Sequence, residues 1–323
     1  MKSGYLALAK VYACLGLFAI ALLCNAPSLA QPQAGAVSGT LGATGSDSMA
    51  GLMLRWSEAL TAHYPEVTLQ FLAGGSASAP TALMAGTTRL GPMSRRMTPN
   101  ERDGFTARYG YPPLELRVAR DALLIVVHRH NPLQALTRQQ ADAIFSTTLS
   151  CGAPAPIRRW EELMGPSQWP HGRIALHGRN LASGTYGLFE ERALCHGRFR
   201  PDISEYPGSS AVVAAVGESF AAMGYAGFNH LTPAVHALSL MTDSGDVVPA
   251  EERTIQSGDY PLSRYLYLYV NAPPGHPLPA AEAALIRLML SSEGQEIVRA
   301  AGFVPLASDE LERQRRLASL EAS

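Results

Sequence analysis

The chain has 323 residues, 47 % hydrophobic and 16 % charged, with a formal net charge of −1. That length suits two ordinary domains with a sizeable core, and the composition excludes a disordered or fibrous chain. Lys2 and Lys10 are its only lysines, so removing the first 30 residues leaves 24 arginines against 27 acids, with no basic stripe; this argues against a nucleic-acid partner and excludes a phosphate-loop lysine, a Schiff base and a Ser-Lys dyad.

The two lysines precede an apolar run from Val11 to Cys24, then NAPSLA, with Ser28 and Ala30 at small-residue cleavage positions. This reads as a signal peptide over residues 1–30, cut near Ala30, and predicts a soluble periplasmic protein. The run is short for a membrane span; a retained N-terminal anchor is the alternative. Cys24 follows leucine, where a lipidation signal carries a small residue. Residues 31–37 read as a linker. Cys151 and Cys195 remain in the exported chain and are expected to form a disulfide, two free buried thiols being the alternative.

From residue 38 short apolar runs alternate with helical patterns, which signals an α/β fold. SGTLGATG ends in a glycine turn, and the next segment sets Met49, Leu52, Met53, Trp56 and Leu60 at helical spacing. VTLQFL reads as a strand, GGSASAPTALMAG as a glycine-rich turn entering a short helix, and TRLGPMSRRM as a short strand and turn. Thr98 to Glu101 has the form of a capping box with Pro99 at the first helical position. Asp121 to Pro132 is an apolar strand ended by a turn, TRQQADAIF a helix, and Arg173 to Asn180 a strand. SSAVVAAVGES is a helix, AMGYAGFN a buried strand, and Arg264 to Asn271 a second strand of the Asp121 kind. Two amphipathic helices follow, over 280–290 and 293–300, the second stopped at Gly302. The tail from Ser308 is charged and is expected to fray.

Four times a strand runs into glycine with serine or threonine at the start of a helix or turn: Thr44–Ser48, Gly74–Ser78, Gly91–Arg95 and Arg179–Gly187. A helix start offers unpaired N–H groups and the positive end of the dipole. Each feature alone is an ordinary cap or loop. Repeated fourfold, with Arg95 and Arg179 as planar cations, they point to an oxyanion site that needs no lysine.

The segments GSDSM, AGGSAS, LGPMSRRMT, DALLIVVHRHNPLQALTRQQADAIF, GRNLASGTYGLFEE, PGSSAVVAAV, GYAGF, YPLSRYLYLYVN and SSEGQEIVRAAGFVPL occur in that order. Together they resemble the phosphate-binding component of bacterial phosphate ABC transporters, within the type II periplasmic binding proteins. The resemblance covers most of 38–306, and Arg-x3-Ser-Gly-Thr followed by an aromatic residue and a helix is its most specific part. It implies an α/β, two-lobed fold with a cleft between the lobes and two hinge crossovers. Lobe I is expected over 38–125 plus 238–307, lobe II over 126–237, and a charged tail over 308–323. It further implies a monomeric, non-enzymatic binding protein without cofactor that captures inorganic phosphate and hands it to an inner-membrane permease. The implied contacts are Ser46 and Asp47 in the first turn, Ser76 in the second, Ser94 and Arg95 in the third, and Arg179, Ser183, Gly184 and Thr185 in the fourth.

One departure bears on selectivity. Members of that family carry an aspartate in the third motif, where this chain has Arg95, which cannot accept the phosphate proton. Either Arg95 is a second clamp with Asp47 as acceptor, or Asp47 only caps its helix and sulfate or another tetrahedral oxyanion also binds. Arg89 replaces a further acid often found there. An exported phosphoester hydrolase, or a sensor or adhesion protein on the same lobes, are the other readings. Ser183 has no recognisable base partner, and no segment matches a nucleophile elbow. His128 and His130 have no cysteine or acid at ligand spacing, so no metal is expected. Asp121 reads as a satisfied structural carboxylate, and Trp160 and Trp169 as packing residues.

Overall fold

In the computed structural model, which describes residues 37–165 and 172–322, the apolar run starting at Asp121 is the second half of one long strand, β4 (Leu114–His128). Its first half was legible in the sequence: Leu114, Leu116 and Val118 alternate with Glu115 and Arg117, and only the former are buried. Ahead of it come β1 (Gly39–Thr44), α1 (Ala50–His63), β2 (Val67–Leu72), α2 (Ser78–Ala85), β3 (Leu90–Met93) and α3 (Pro99–Tyr109). After it come β5 (Ala135–Thr137), α4 (Arg138–Phe145), α5 (Trp160–Met164), β6 (Ala175–Arg179), α6 (Gly184–Arg192), β7 (Ser204–Tyr206), α7 (Ser209–Gly217) and β8 (Ala222–Gly227). The chain ends with β9 (Val235–Ala237), β10 (Ser239–Met241), β11 (Val247–Val248), α8 (Glu252–Ser257), β12 (Ser263–Val270), α9 (Ala280–Met289), α10 (Ser292–Ala300) and α11 (Ser308–Ala322).

The main sheet runs β2-β1-β3-β12-β4-β8-β6-β7, with β9 also on β4. Along residues 114–122, β4 pairs antiparallel with β12; along 123–127 it pairs antiparallel with β8. One strand therefore serves two half-sheets, and each half covers its own core. The first core holds Leu52, Trp56, Leu116, Leu266, Leu285 and Val298; the second holds Leu124, Val126, Phe145, Trp160, Phe189 and Tyr225. All five apolar positions read from the α1 pattern are buried, and Trp56 donates its indole N–H to Gly294 O at 3.1 Å.

The chain passes between the cores twice, at adjacent points. It leaves at Ala122–Leu123 and returns at Leu262–Ser263; Leu123 N donates to Leu262 O at 3.0 Å, and Ser263 lies opposite Ala122. Residues 238–262 belong with the second core, because β10 pairs in parallel with β5 and Leu238, Leu240, Ile255 and Leu262 pack there. The tail is corrected: residues from Ser308 form α11 rather than fraying. Gln314 accepts from Arg117 N at 3.0 Å, Glu310 pairs with Arg117, and both acceptor side chains are buried.

The Thr98 capping box is present in both directions, Glu101 N to Thr98 Oγ1 at 3.3 Å and Thr98 N to Glu101 Oε2 at 2.8 Å. Cys151 and Cys195 form a disulfide with Cα atoms 5.4 Å apart, tying the segment after α4 to the end of α6. It closes a loop of 44 residues, so replacing both cysteines by serine is expected to cost about 2–4 kcal/mol. Urea unfolding without reductant checks this, and an unchanged midpoint contradicts it. No helix among the described residues is long and apolar enough to cross a membrane. The expected signal peptide, nearly all of the linker and Trp169 lie outside the described residues.

Candidate oxyanion site between the lobes

In open α/β sheets ligands gather beyond the carboxyl ends of the strands. All four glycine-hydroxyl turns stand at such ends: Ser46 after β1, Ser76 after β2, Ser94 after β3 and Ser183 after β6. Three of them also precede helices, the first through a single 3-10 turn, Asp47–Met49. The turns come from both lobes and meet. A Cβ built on Gly184 would lie 2.5 Å from both Ser76 Oγ and Ser94 Oγ. Ser48 Oγ is 3.3 Å from Thr185 Oγ1, and Ala77 N donates to Ala182 O at 3.3 Å. Ser46, Ser76, Ser94, Arg179, Ser183 and Thr185 are all buried.

The hydrogen bonds fix which way several hydroxyls can act. Ser94 N donates to Ser76 Oγ at 3.0 Å, and Thr185 N donates to Ser183 Oγ at 3.1 Å. A hydroxyl has one proton; that of Ser183 can donate while its oxygen is engaged by an amide, and Ser76 Oγ and Ser94 Oγ also share a hydrogen bond of 3.2 Å in which either can donate. Ser46 Oγ is buried with no hydrogen-bond partner, and a group in that state costs free energy unless something pairs with it. The cluster thus presents donors, which is the requirement of an oxyanion.

Arg179 closes β6 and is 1 % exposed. Its backbone N donates to Tyr225 Oη at 3.1 Å. That ring approaches so closely that a Cβ on Gly178 would meet it at 2.8 Å, so only glycine fits before the arginine. Burial pushes the Tyr225 phenol up, keeping it neutral as an acceptor here. The Arg179 guanidinium donates through Nε to Tyr206 O at 3.3 Å, through Nη1 to Ser209 Oγ at 3.2 Å, and through Nη2 to Pro207 O at 2.8 Å and to Asp47 Oδ2. Burial lowers its pKa and the Asp47 carboxylate opposes that shift. Four of five N–H groups are committed to protein acceptors, so one on Nη1 is left for a ligand. Asp47 Oδ1 is buried and unpartnered.

Arg95 makes its hydrogen bonds outside these turns. Its fork donates to both Glu101 oxygens at 2.7 Å, and Nη1 also reaches Arg96 O at 3.0 Å. Burial pushes the Glu101 carboxyl up, but the bonds from Arg95 and Thr98 N outweigh it and hold the carboxyl below its usual range. Arg95 also borders an open cleft of about 840 Å³ with Gly187, Arg192, Arg264 and Tyr265. Arg89 pairs with the buried Glu282 at 2.6 Å. His128 and His130 pack on each other and on Phe220. Among the described residues no three His, Cys, Asp or Glu side chains form a cluster that could hold a metal.

Residues 30–293 match a family model described as a PBP superfamily domain. The chain belongs to the PBP superfamily. The phosphate-binding protein PstS of Pseudomonas aeruginosa is 44 % identical over 289 residues, covering 89 % of this chain and 90 % of that protein. PstS of Bacillus subtilis is 26 % identical over 277 residues, 85 % of this chain and 84 % of its own length. Among solved structures, a putative phosphate ABC transporter substrate-binding protein with bound phosphate, from Clostridium perfringens, superimposes with a TM-score of 0.68 at 23 % identity, over 83 % of this chain and all of that one. An ABC-type phosphate transport receptor from Vibrio cholerae gives 0.65 at 21 % identity, over 82 % and 99 %. These likenesses show the type II periplasmic binding protein fold.

Three residues of this PBP site were not singled out by the sequence reading. Ser48 sits within the quoted first turn, and Ser209 opens α7 to hold the Arg179 fork. Arg264 was read only as the start of an apolar strand, yet it donates through Nη1 to Thr185 Oγ1 at 3.2 Å and through Nε and Nη2 to Asp121 Oδ2 at 2.9 and 2.6 Å. The available signal was a pair of opposite charges, each heading one of the two most apolar strands. Because Arg95 is spent on Glu101, Arg95→Gln in this PBP is expected to leave oxyanion affinity within about twofold while weakening the start of α3 by about 1 kcal/mol. Calorimetry and urea unfolding of the same variant separate the two effects.

Proposed function

We propose that this protein captures inorganic phosphate between its lobes in the periplasm and delivers it to an ABC permease. The observation that carries this reading is the convergence of four strand-end turns into one buried set of donors around the Arg179 fork. The relatives named as phosphate-binding proteins, one of them 44 % identical over most of both chains, support phosphate as the ligand and a transporter as the partner. The proposed contacts are the hydroxyls of Ser46, Ser76, Ser94, Ser183 and Thr185, the N–H of Gly184 and the free Nη1 hydrogen of Arg179. Export through a signal peptide cut near Ala30, and action as a monomer, belong to the same proposal. Lobe I is proposed to comprise 37–122 and the chain from 263 onward, with lobe II comprising 123–262.

Asp47 supplies the selectivity that Arg95 cannot. Its Oδ2 takes the Arg179 fork and its Oδ1 remains an acceptor. Phosphate near neutral pH still carries a proton to donate to that oxygen; sulfate carries none, and its lone pairs would face a carboxylate. The test is phosphate binding in the presence of sulfate, measured across pH. The reading expects millimolar sulfate to leave phosphate binding intact. Displacement of phosphate by equimolar sulfate would sink the role of Asp47, and release of phosphate from a phosphoester by the purified protein would sink the assignment as a binding protein.

A further inference from the structure

We infer that Arg264, held by Asp121, fixes the direction of the Thr185 hydroxyl and acts as a positioning residue for the anion from the crossover between the lobes. The inference rests on the phosphate-binding reading and adds to it a residue outside the four turns. Arg264 and Asp121 face each other in the β12–β4 register, next to the point where both crossovers meet. Asp121 is fully buried and Arg264 is 3 % exposed. Two nitrogens of the guanidinium bind one carboxylate oxygen, and the third reaches Thr185 Oγ1 at the second residue of α6, in the other lobe.

The chemistry of that third bond is one-directional. A guanidinium has five N–H groups and no lone pair to offer, so the Thr185 oxygen must accept from it. The single Thr185 proton is thereby turned away from Arg264. Ser48 Oγ of the first turn lies 3.3 Å away, and either hydroxyl of that pair can donate. The Thr185 proton is thus left for Ser48 or for an anion oxygen in the space between the first turn and the start of α6. Without Arg264, the Thr185 hydroxyl is free to turn away from that space.

A purely structural role accounts poorly for the pair. Burying two charges is expensive, and a hydrophobic pair of similar volume holds two strands at least as well. Asp121 Oδ1 has no hydrogen-bond partner, so the carboxylate spends its protein contacts on Arg264 alone. What a hydrophobic pair cannot do is donate across the crossover to a hydroxyl of the opposite lobe. Arg264 joins a lobe I strand to the start of a lobe II helix.

The test is a double-mutant cycle on phosphate affinity, measured by titration calorimetry with unmodified protein, Arg264→Gln, Thr185→Val and both together. Arg264→Gln is expected to weaken phosphate on the order of tenfold when Thr185 is present and less than about twofold when it is valine. Thr185→Ser, which keeps the hydroxyl, is expected to restore sensitivity to Arg264→Gln. Equal losses in both backgrounds overturn the inference. Should Arg264→Gln fail to fold because Asp121 is left charged and unpaired, the neutral pair Asp121→Asn with Arg264→Gln carries the same cycle with the same two outcomes. Absence of phosphate binding by the unmodified protein overturns the phosphate reading and this inference together, whereas equal losses overturn the inference alone.

Discussion

Arg179→Ala is expected to weaken phosphate binding by about 2–5 kcal/mol, which is roughly thirtyfold to several thousandfold. Two losses add. The variant removes the free Nη1 hydrogen, and it also removes the partner of Asp47. The carboxylate then stands unbalanced among the hydroxyls and repels the ligand they are meant to hold. Arg179→Lys keeps the charge but not the fork, which here engages Tyr206 O, Pro207 O and Ser209 Oγ as well as Asp47; it is expected to recover only part of the affinity. Calorimetry with phosphate reads both variants. Normal affinity in Arg179→Ala would show that the site has been placed around the wrong residue.

Gly184→Ala is expected to separate binding from stability. The added Cβ would lie 2.5 Å from Ser76 Oγ and from Ser94 Oγ, and 3.0 Å from Ser76 Cβ. Both hydroxyls belong to lobe I, so the methyl either pushes them aside or holds the lobes apart. With two hydroxyl contacts to a charged ligand forfeited at about 1.5–3 kcal/mol each, affinity should fall at least a hundredfold. Stability should change less than binding, the overpacking of about 1–3 kcal/mol being offset in part by helix propensity. Gly184 opens α6 with φ outside the left-handed region, and alanine favours helix over glycine. Titration calorimetry and urea unfolding on the same sample check the two halves. Loss of both binding and stability would mean that the small residue serves packing alone.

The four turns were legible in the sequence because an anion site at strand ends needs glycine and hydroxyls there, and such residues stand out between apolar runs. The disulfide was legible because only Cys151 and Cys195 remain after the first 30 residues, and the capping box at Thr98 because its four residues are contiguous. The fate of Arg95 was not. It turns on the fork reaching Glu101, six residues on, in a segment where either residue alone looks solvated. Arg264 and Asp121 are 143 residues apart and meet only through strand register. The pairing of β10 with β5 was hidden in the same way, since it joins strands about a hundred residues apart in the chain. The tail looked free to fray because its buried face is polar: Glu310 and Gln314 are covered only because Arg117 on β4 offers them an ion pair and an N–H.

Buried hydroxyls and Arg179, drawn from two lobes, are proposed to hold a single phosphate. Titration of phosphate into the purified, phosphate-free protein is the decisive measurement. Saturable one-to-one binding with no chemical turnover of the ligand is expected. Absence of binding heat and of any saturation with phosphate, sulfate or another tetrahedral oxyanion would contradict it.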